Sequence, residues 1–172
     1  MRVSSDDSAQ PPSGGLYTPE ERRRRDASPW TLVQGILAPL QFLVFLVSLA
    51  LVLRFVLTGE GYFAATVSVV IKTFVLYVIM ITGSIWEKVV FGKYLFARAF
   101  FWEDVFSMLV LALHTAYLVA LATDAPVTTQ MALALAAYAS YLVNATQFVL
   151  KLRAARLQQA RAVASDMVGA AP

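Results

Sequence analysis

The chain of 172 residues contains no cysteine and one histidine, His114. Without cysteine it can form no disulfide, thiolate nucleophile, iron–sulfur cluster or Cys-ligated zinc site of its own. One histidine also excludes a bis-histidine haem within a single subunit. Charge is scarce: 15% of residues are Asp, Glu, Lys or Arg, against 59% hydrophobic, and mean hydropathy is +0.65. The formal charge is only +3. The basic residues fall in blocks between apolar segments, which argues for a membrane protein and against a nucleic-acid partner. The length allows one domain.

Residues 1–15 are polar and rich in Ser, Pro and Gly, and are expected to be disordered. Thr18-Pro19-Glu20-Glu21 has the form of a helix start, with Thr as N-cap and Glu three residues on. A short surface helix through Arg22, Arg23, Arg24 and Arg25 should follow. The first apolar run begins only near Trp30, so no cleavable signal peptide is expected.

Four apolar runs then occupy about 30–57, 62–86, 100–121 and 127–150. Each is long enough to cross a hydrocarbon core, which takes about 20 helical residues. The links around 58–61 and 123–126 are short and carry no Lys or Arg. The basic residues outside the apolar runs lie in three places: the N-terminal tail; Lys88, Lys93 and Arg98; and Lys151, Arg153, Arg156 and Arg161. These regions share one side only if there are four spans with both termini inside. The predicted fold is an all-α integral membrane four-helix bundle over 16–156 with both termini cytoplasmic. A C-terminal tail of 157–172 follows, and 151–161 should form a basic interfacial extension of the last helix. In the fourth run Ala132, Ala136, Ser140 and Asn144 recur at four-residue spacing, which predicts a packing seam.

Polar groups inside apolar spans are costly and usually functional. Lys72 lies about 15 Å into the second span at helical rise, with no acid at that depth. It is expected to be neutral, bonded to carbonyls, or paired with an anionic group of a ligand. Near the inner ends lie Gln34, Glu87, Glu103, Asp104, Ser107, Asn144 and Gln147, contributed by all four helices. Such a cluster suggests a cavity, although Glu87 could instead pair with Lys88 or Lys151. Glu103, Ser107, Val110, His114 and Tyr117 form one helical stripe. Glu103 and His114 nevertheless lie about 16 Å apart along it. His114 is a candidate axial ligand for a chlorin magnesium, a proton carrier, or a buried neutral imidazole. Trp30, Trp86 and Trp102 suit an interfacial belt. Phe100, Phe101, Phe106, Tyr138 and Tyr141 could line a flat apolar slot.

Four segments resemble the vinyl (bacterio)chlorophyllide hydratases: 17–42 (YTPEERRRRDASPWTLVQGILAPLQF), 58–81 (TGEGYFAATVSVVIKTFVLYVIMI), 85–97 (IWEKVVFGKYLFA) and 100–117 (FFWEDVFSMLVLALHTAY). The likeness covers roughly 16–156. It implies a lyase of bacteriochlorophyll synthesis, a multi-pass protein of a phototrophic bacterium's inner (cytoplasmic or intracytoplasmic photosynthetic) membrane. Water would add across the 3-vinyl group of chlorophyllide a, or of a related bacteriochlorophyllide, to give a 3-(1-hydroxyethyl) group. The implied partners are that pigment, water, the bilayer and other pigment-synthesis enzymes; no cofactor is implied. The resemblance carries over no catalytic residues.

The chemistry asks for a general acid, a base that positions water, and a flat apolar slot. Glu103 is the expected acid, with Asp104 or Glu87 holding the water. His114, Lys72, Asn144, Ser107 and Trp102 form the expected substrate-binding set. No metal of the protein's own is expected, and His114 could ligate only the pigment's magnesium. The pigment's propionate is expected at Lys88, Lys93 or Arg98. A non-enzymatic chlorin-binding or photosystem-assembly protein is the alternative, using His114 and the aromatics without the carboxylates. A redox-complex anchor subunit or a small transporter is a further, weaker possibility on composition alone.

Overall fold

The computed structural model describes residues 16–169; of 158, 159 and 161–169 it describes the backbone alone. The tail of 1–15 lies outside the described residues. Five helices follow one another: α1 (Pro19–Ala27), α2 (Pro29–Thr58), α3 (Tyr62–Phe91), α4 (Phe101–Ala122) and α5 (Val127–Gly169). Four of them, with α5 counted to Leu157, are long and apolar enough to span a membrane. The chain is thus an all-helical membrane bundle.

Helix starts and stops follow local chemistry. At α1 the Thr18 hydroxyl accepts from the Glu21 N–H, and the Glu21 carboxylate accepts from the Thr18 N–H at 2.8 Å. Pro29 opens α2, where a missing N–H costs nothing. Gly59 and Gly61 both have positive φ and turn α2 back into α3 within a few residues. Pro39 lies inside α2, which remains helical on both sides of it.

Two antiparallel hairpins result, α2/α3 and α4/α5. Each is closely packed within itself, and the two meet more sparsely through α3 with α4 and α2 with α5. Their shared core contains Phe45, Val52, Val69, Leu76, Val110, Tyr117, Ala134, Ala137 and Tyr138. The stripe Glu103, Ser107, Val110, His114 and Tyr117 is indeed the buried face of α4.

On α5 the buried seam differs from the expected one. Ala134, Ala137, Tyr138, Tyr141 and Asn144 are buried, whereas Ala132 and Ala136 are exposed. A strict four-residue series drifts about 40° per step around an α-helix, so 132 and 144 point about 120° apart. The seam instead alternates three- and four-residue steps and stays on one face. Ala137 is fully buried there. Its replacement by Leu should push the helices apart and destabilise the bundle by about 1–3 kcal/mol, measurable by unfolding in mixed detergent.

Candidate active site

Because the hairpins meet sparsely, a cavity of about 1710 Å³ opens between them at the end of the bundle that carries α1. That exceeds the roughly 300–1,000 Å³ usual for small-molecule sites. Its walls are largely apolar and come from all five helices. Trp86 and Phe100 pack edge-to-face at 5.8 Å, and Phe148 stacks on Phe100 at 5.8 Å. With Tyr17 and Tyr141, these rings line a slot suited to a flat molecule. The Trp86 indole donates to Thr31 across to α2 at 3.0 Å, which fixes the ring.

Glu87 comes from the last turns of α3 and Asp104 from the first turn of α4. The two carboxyls are close neighbours there. Two neighbouring carboxyls in an apolar setting favour sharing one proton over both being ionised. The connecting loop caps the pair with consecutive backbone amides. The Phe96 N–H donates to Asp104 Oδ2 at 2.7 Å, and the Ala97 N–H to Glu87 Oε2 at 3.4 Å. Phe96 adopts φ 59°, a left-handed conformation uncommon for a bulky residue. That strain turns both amides inward, and strain of this kind tends to be retained at functional sites.

One turn beyond Asp104, the Ser107 hydroxyl accepts from Asn144 Nδ2 at 2.9 Å. Asn144 Oδ1 is buried without a partner among the described residues, and so are both polar atoms of the Gln41 side chain. Both residues line the cavity. These atoms can hold water or a polar substituent of a ligand, since buried polar groups are otherwise paired. Gln34 is engaged elsewhere, donating to Thr82 at 2.8 Å.

The expected site residues thus divide. Glu87, Asp104, Ser107 and Asn144 come together at the cavity. Glu103, the expected acid, is buried on the same helix but bonds Lys151 at 2.6 Å and does not line the cavity. Adjacent helical residues point about 100° apart, so only one of the two acids can face the slot. Glu87 lies beside Asp104 and makes no ion pair with Lys88 or Lys151 among the described residues; Lys88 donates to the Gly92 carbonyl. Trp102 is 66% exposed and packs on Phe101 outside the bundle. Of the five residues expected to form the slot, only Phe100 and Tyr141 line it.

Lys72 and His114 are fully buried in the middle of the bundle and do not line the cavity. Lys72 Nζ lies 3.7 Å from the centre of the Tyr141 ring. His114 Nδ1 is 2.8 Å from the Val110 carbonyl, and its ring tilts against Tyr138.

Basic side chains at the cavity mouth are Arg22, Arg23 and Arg25 of α1 and Arg156 of α5. Lys88, Lys93 and Arg98 do not line it. Helix α1 is held over the mouth by Tyr17, which stacks on Phe91 at 5.8 Å and lies under the Arg25 guanidinium at 4.7 Å. Burial there pushes the Tyr17 phenol above its usual value, so it stays neutral. The run of four arginines signalled charge in the sequence, but nothing signalled that their helix folds back over the slot.

Gly35 also lines the cavity, and a Cβ added there would meet nothing within 4 Å. A side chain at this position therefore grows into open space. Gly35→Phe is expected to leave the helices intact and to abolish retention of a flat pigment by the purified protein. Retention at the unsubstituted level would contradict the placement of the slot.

Residues 17–154 match the family model for 2-vinyl bacteriochlorophyllide hydratase. The 2-vinyl bacteriochlorophyllide hydratase of Rhodobacter capsulatus is 68% identical over 158 residues, covering 92% of each chain. The protein of the same name from Cereibacter sphaeroides is 70% identical over 146 residues, covering 85% of this chain and 91% of the relative. No solved structure matches the chain. Likeness of this degree over nearly the whole bundle shows that the chain belongs to the 2-vinyl bacteriochlorophyllide hydratase family.

Proposed function

We propose that the chain adds water across the vinyl substituent of a chlorophyllide or bacteriochlorophyllide to give a 1-hydroxyethyl group. The family's name counts this ring position as 2, and the numbering used above counts it as 3. The observation that carries the reading is the carboxyl pair Glu87–Asp104 on the wall of a large aromatic slot, in a chain of this family.

One carboxyl of the pair gives its proton to the terminal vinyl carbon. Positive charge then develops on the ring-attached carbon and spreads into the macrocycle. Water attacks that carbon and loses a proton to the other carboxyl of the pair. The pair ends with one proton, as it began, and a proton shift between the two carboxyls resets it. Asn144 Oδ1 accepts from the attacking water, and Ser107 fixes the Asn144 amide. The amides of Phe96 and Ala97 keep the carboxyls in place and stabilise whichever is ionised. The aromatic walls exclude bulk water from the cation.

Glu103 is a structural partner of Lys151 in this reading. Lys72 supports the slot from behind through Tyr141, and His114, which packs on Tyr138 outside the lining, is not the magnesium ligand. By the distribution of Lys and Arg, the α1 end faces the cytoplasm, in a bacterial inner membrane.

The test is conversion. Membranes containing the chain are given a vinyl chlorophyllide, and the pigment is examined by mass and absorption. Gain of one water, with the long-wavelength band moving to shorter wavelength, supports the hydratase. Unchanged pigment that co-purifies with the protein would favour the non-enzymatic pigment-binding alternative.

A further inference from the structure

The reaction above occurs at one edge of the pigment. Nothing in it says how a flat, nearly symmetric ring is oriented so that the vinyl edge reaches the carboxyls. The arginines at the mouth bear on that question.

Arg25 is committed: its guanidinium bonds Asp26 at 2.7 Å and covers Tyr17. Arg22 and Arg156 make no ion pair among the described residues. Arg22 is half-buried, and its Nε is shut off from solvent with no hydrogen-bond partner among the described residues. A buried guanidinium N–H without an acceptor is costly and rare in native structures. Arg22 comes from α1 and Arg156 from α5, yet both line the same cavity.

Guanidinium is the side chain best matched to a planar anionic group. A chlorophyllide, unlike the esterified pigment, carries one free propionate, which is the only carboxylate on an otherwise apolar ring. We propose that Arg22 and Arg156 bind this propionate at the cavity mouth, fixing which edge of the ring meets Glu87 and Asp104 and selecting free-acid pigments over their esters. The inference rests on the proposed substrate class, but it concerns binding and can fail separately from the chemistry.

An anionic oxygen at this mouth could also come from a lipid headgroup. The experiment therefore uses bilayer discs of neutral phosphatidylcholine, with a parallel set containing anionic phosphatidylglycerol. Binding of a vinyl chlorophyllide and of its methyl ester is followed by quenching of pigment fluorescence, and hydration is measured in the same samples. The unsubstituted protein is expected to bind the acid about ten- to hundred-fold more tightly than the ester, the scale of charge-assisted hydrogen bonds. Arg22→Gln with Arg156→Gln should bring the two within about threefold by weakening the acid alone. Arg22→Lys should restore part of the preference. Arg153→Gln, an exposed residue outside the cavity lining, should leave it intact.

An acid-to-ester ratio unchanged in the double variant would overturn the proposal, even with hydration normal. A ratio unmoved while the variants alter only the response to anionic lipid would assign the arginines to a headgroup and overturn it equally. Loss of the preference without hydration in any sample would uphold the orientation device and refute the hydratase reading.

Discussion

Asp104→Asn is expected to abolish hydration, by about a hundred- to ten-thousand-fold, while the protein still folds and still retains pigment. The range is that of a positioned general acid or base. The substitution keeps the shape of the side chain, and an amide oxygen can still accept from the Phe96 N–H. What it removes is a group able to carry or take up a proton. Glu87→Gln should act the same way, because the pair works only while one member is protonated and the other ionised. The double variant should be no worse than either single one, since residues acting as one unit are strongly non-additive. Additive losses would mean that the two carboxyls act in separate steps or separate places. Near-normal turnover in either single variant would remove that residue from the chemistry.

Lys151→Met, by contrast, should cost stability rather than chemistry. Lys151 bonds Glu103 at 2.6 Å, and Glu103 is only 7% exposed. Removing the lysine strands a buried carboxylate. Breaking a fully buried pair costs about 3–5 kcal/mol; Lys151 is itself partly exposed, so about 2–3 kcal/mol is expected. Glu103→Gln combined with Lys151→Met should recover most of that loss, because no unpaired charge remains. The double variant should also hydrate pigment within about threefold of the unsubstituted rate. A loss as large as that of Asp104→Asn would return Glu103 to the catalytic group. Unfolding measurements beside turnover on the four proteins of the cycle separate the two roles.

The contrast between Glu103 and Asp104 marks where sequence reasoning stops. Both sit in the first turn of a helix whose apolar run is unmistakable, and its buried stripe through Ser107, Val110 and His114 follows from period alone. The four spans and the two hairpins follow equally directly, because bilayer thickness and short links leave little choice. Which of two adjacent acids turns toward the other hairpin depends on packing across helices. Here Lys151 on α5 claims Glu103.

Glu87 and Asp104 are 17 positions apart, and they meet because the loop between them carries Phe96 at positive φ. No residue preference announces that conformation, since the usual marker would be glycine. The placement of α1 is similar. The capping box and the arginine run were readable, but the stacking of Tyr17 on Phe91 that brings Arg22 to the cavity is a tertiary contact. Lys88, Lys93 and Arg98 belong to the same basic inner surface by charge distribution, but none of them lines the cavity. The α5 seam failed for a simpler reason: four-residue spacing was read as a straight line along a helix of 3.6 residues per turn.

Above all, hydration begins with a proton delivered to the terminal vinyl carbon and ends with oxygen taken from water. The most direct measurement is a turnover in deuterium oxide enriched in heavy oxygen, with the product read by mass spectrometry and proton NMR after back-exchange into ordinary water. The account requires one carbon-bound deuterium in the new methyl group and one heavy oxygen in the new alcohol. An alcohol whose oxygen does not come from water, or a methyl group without deuterium, would contradict it.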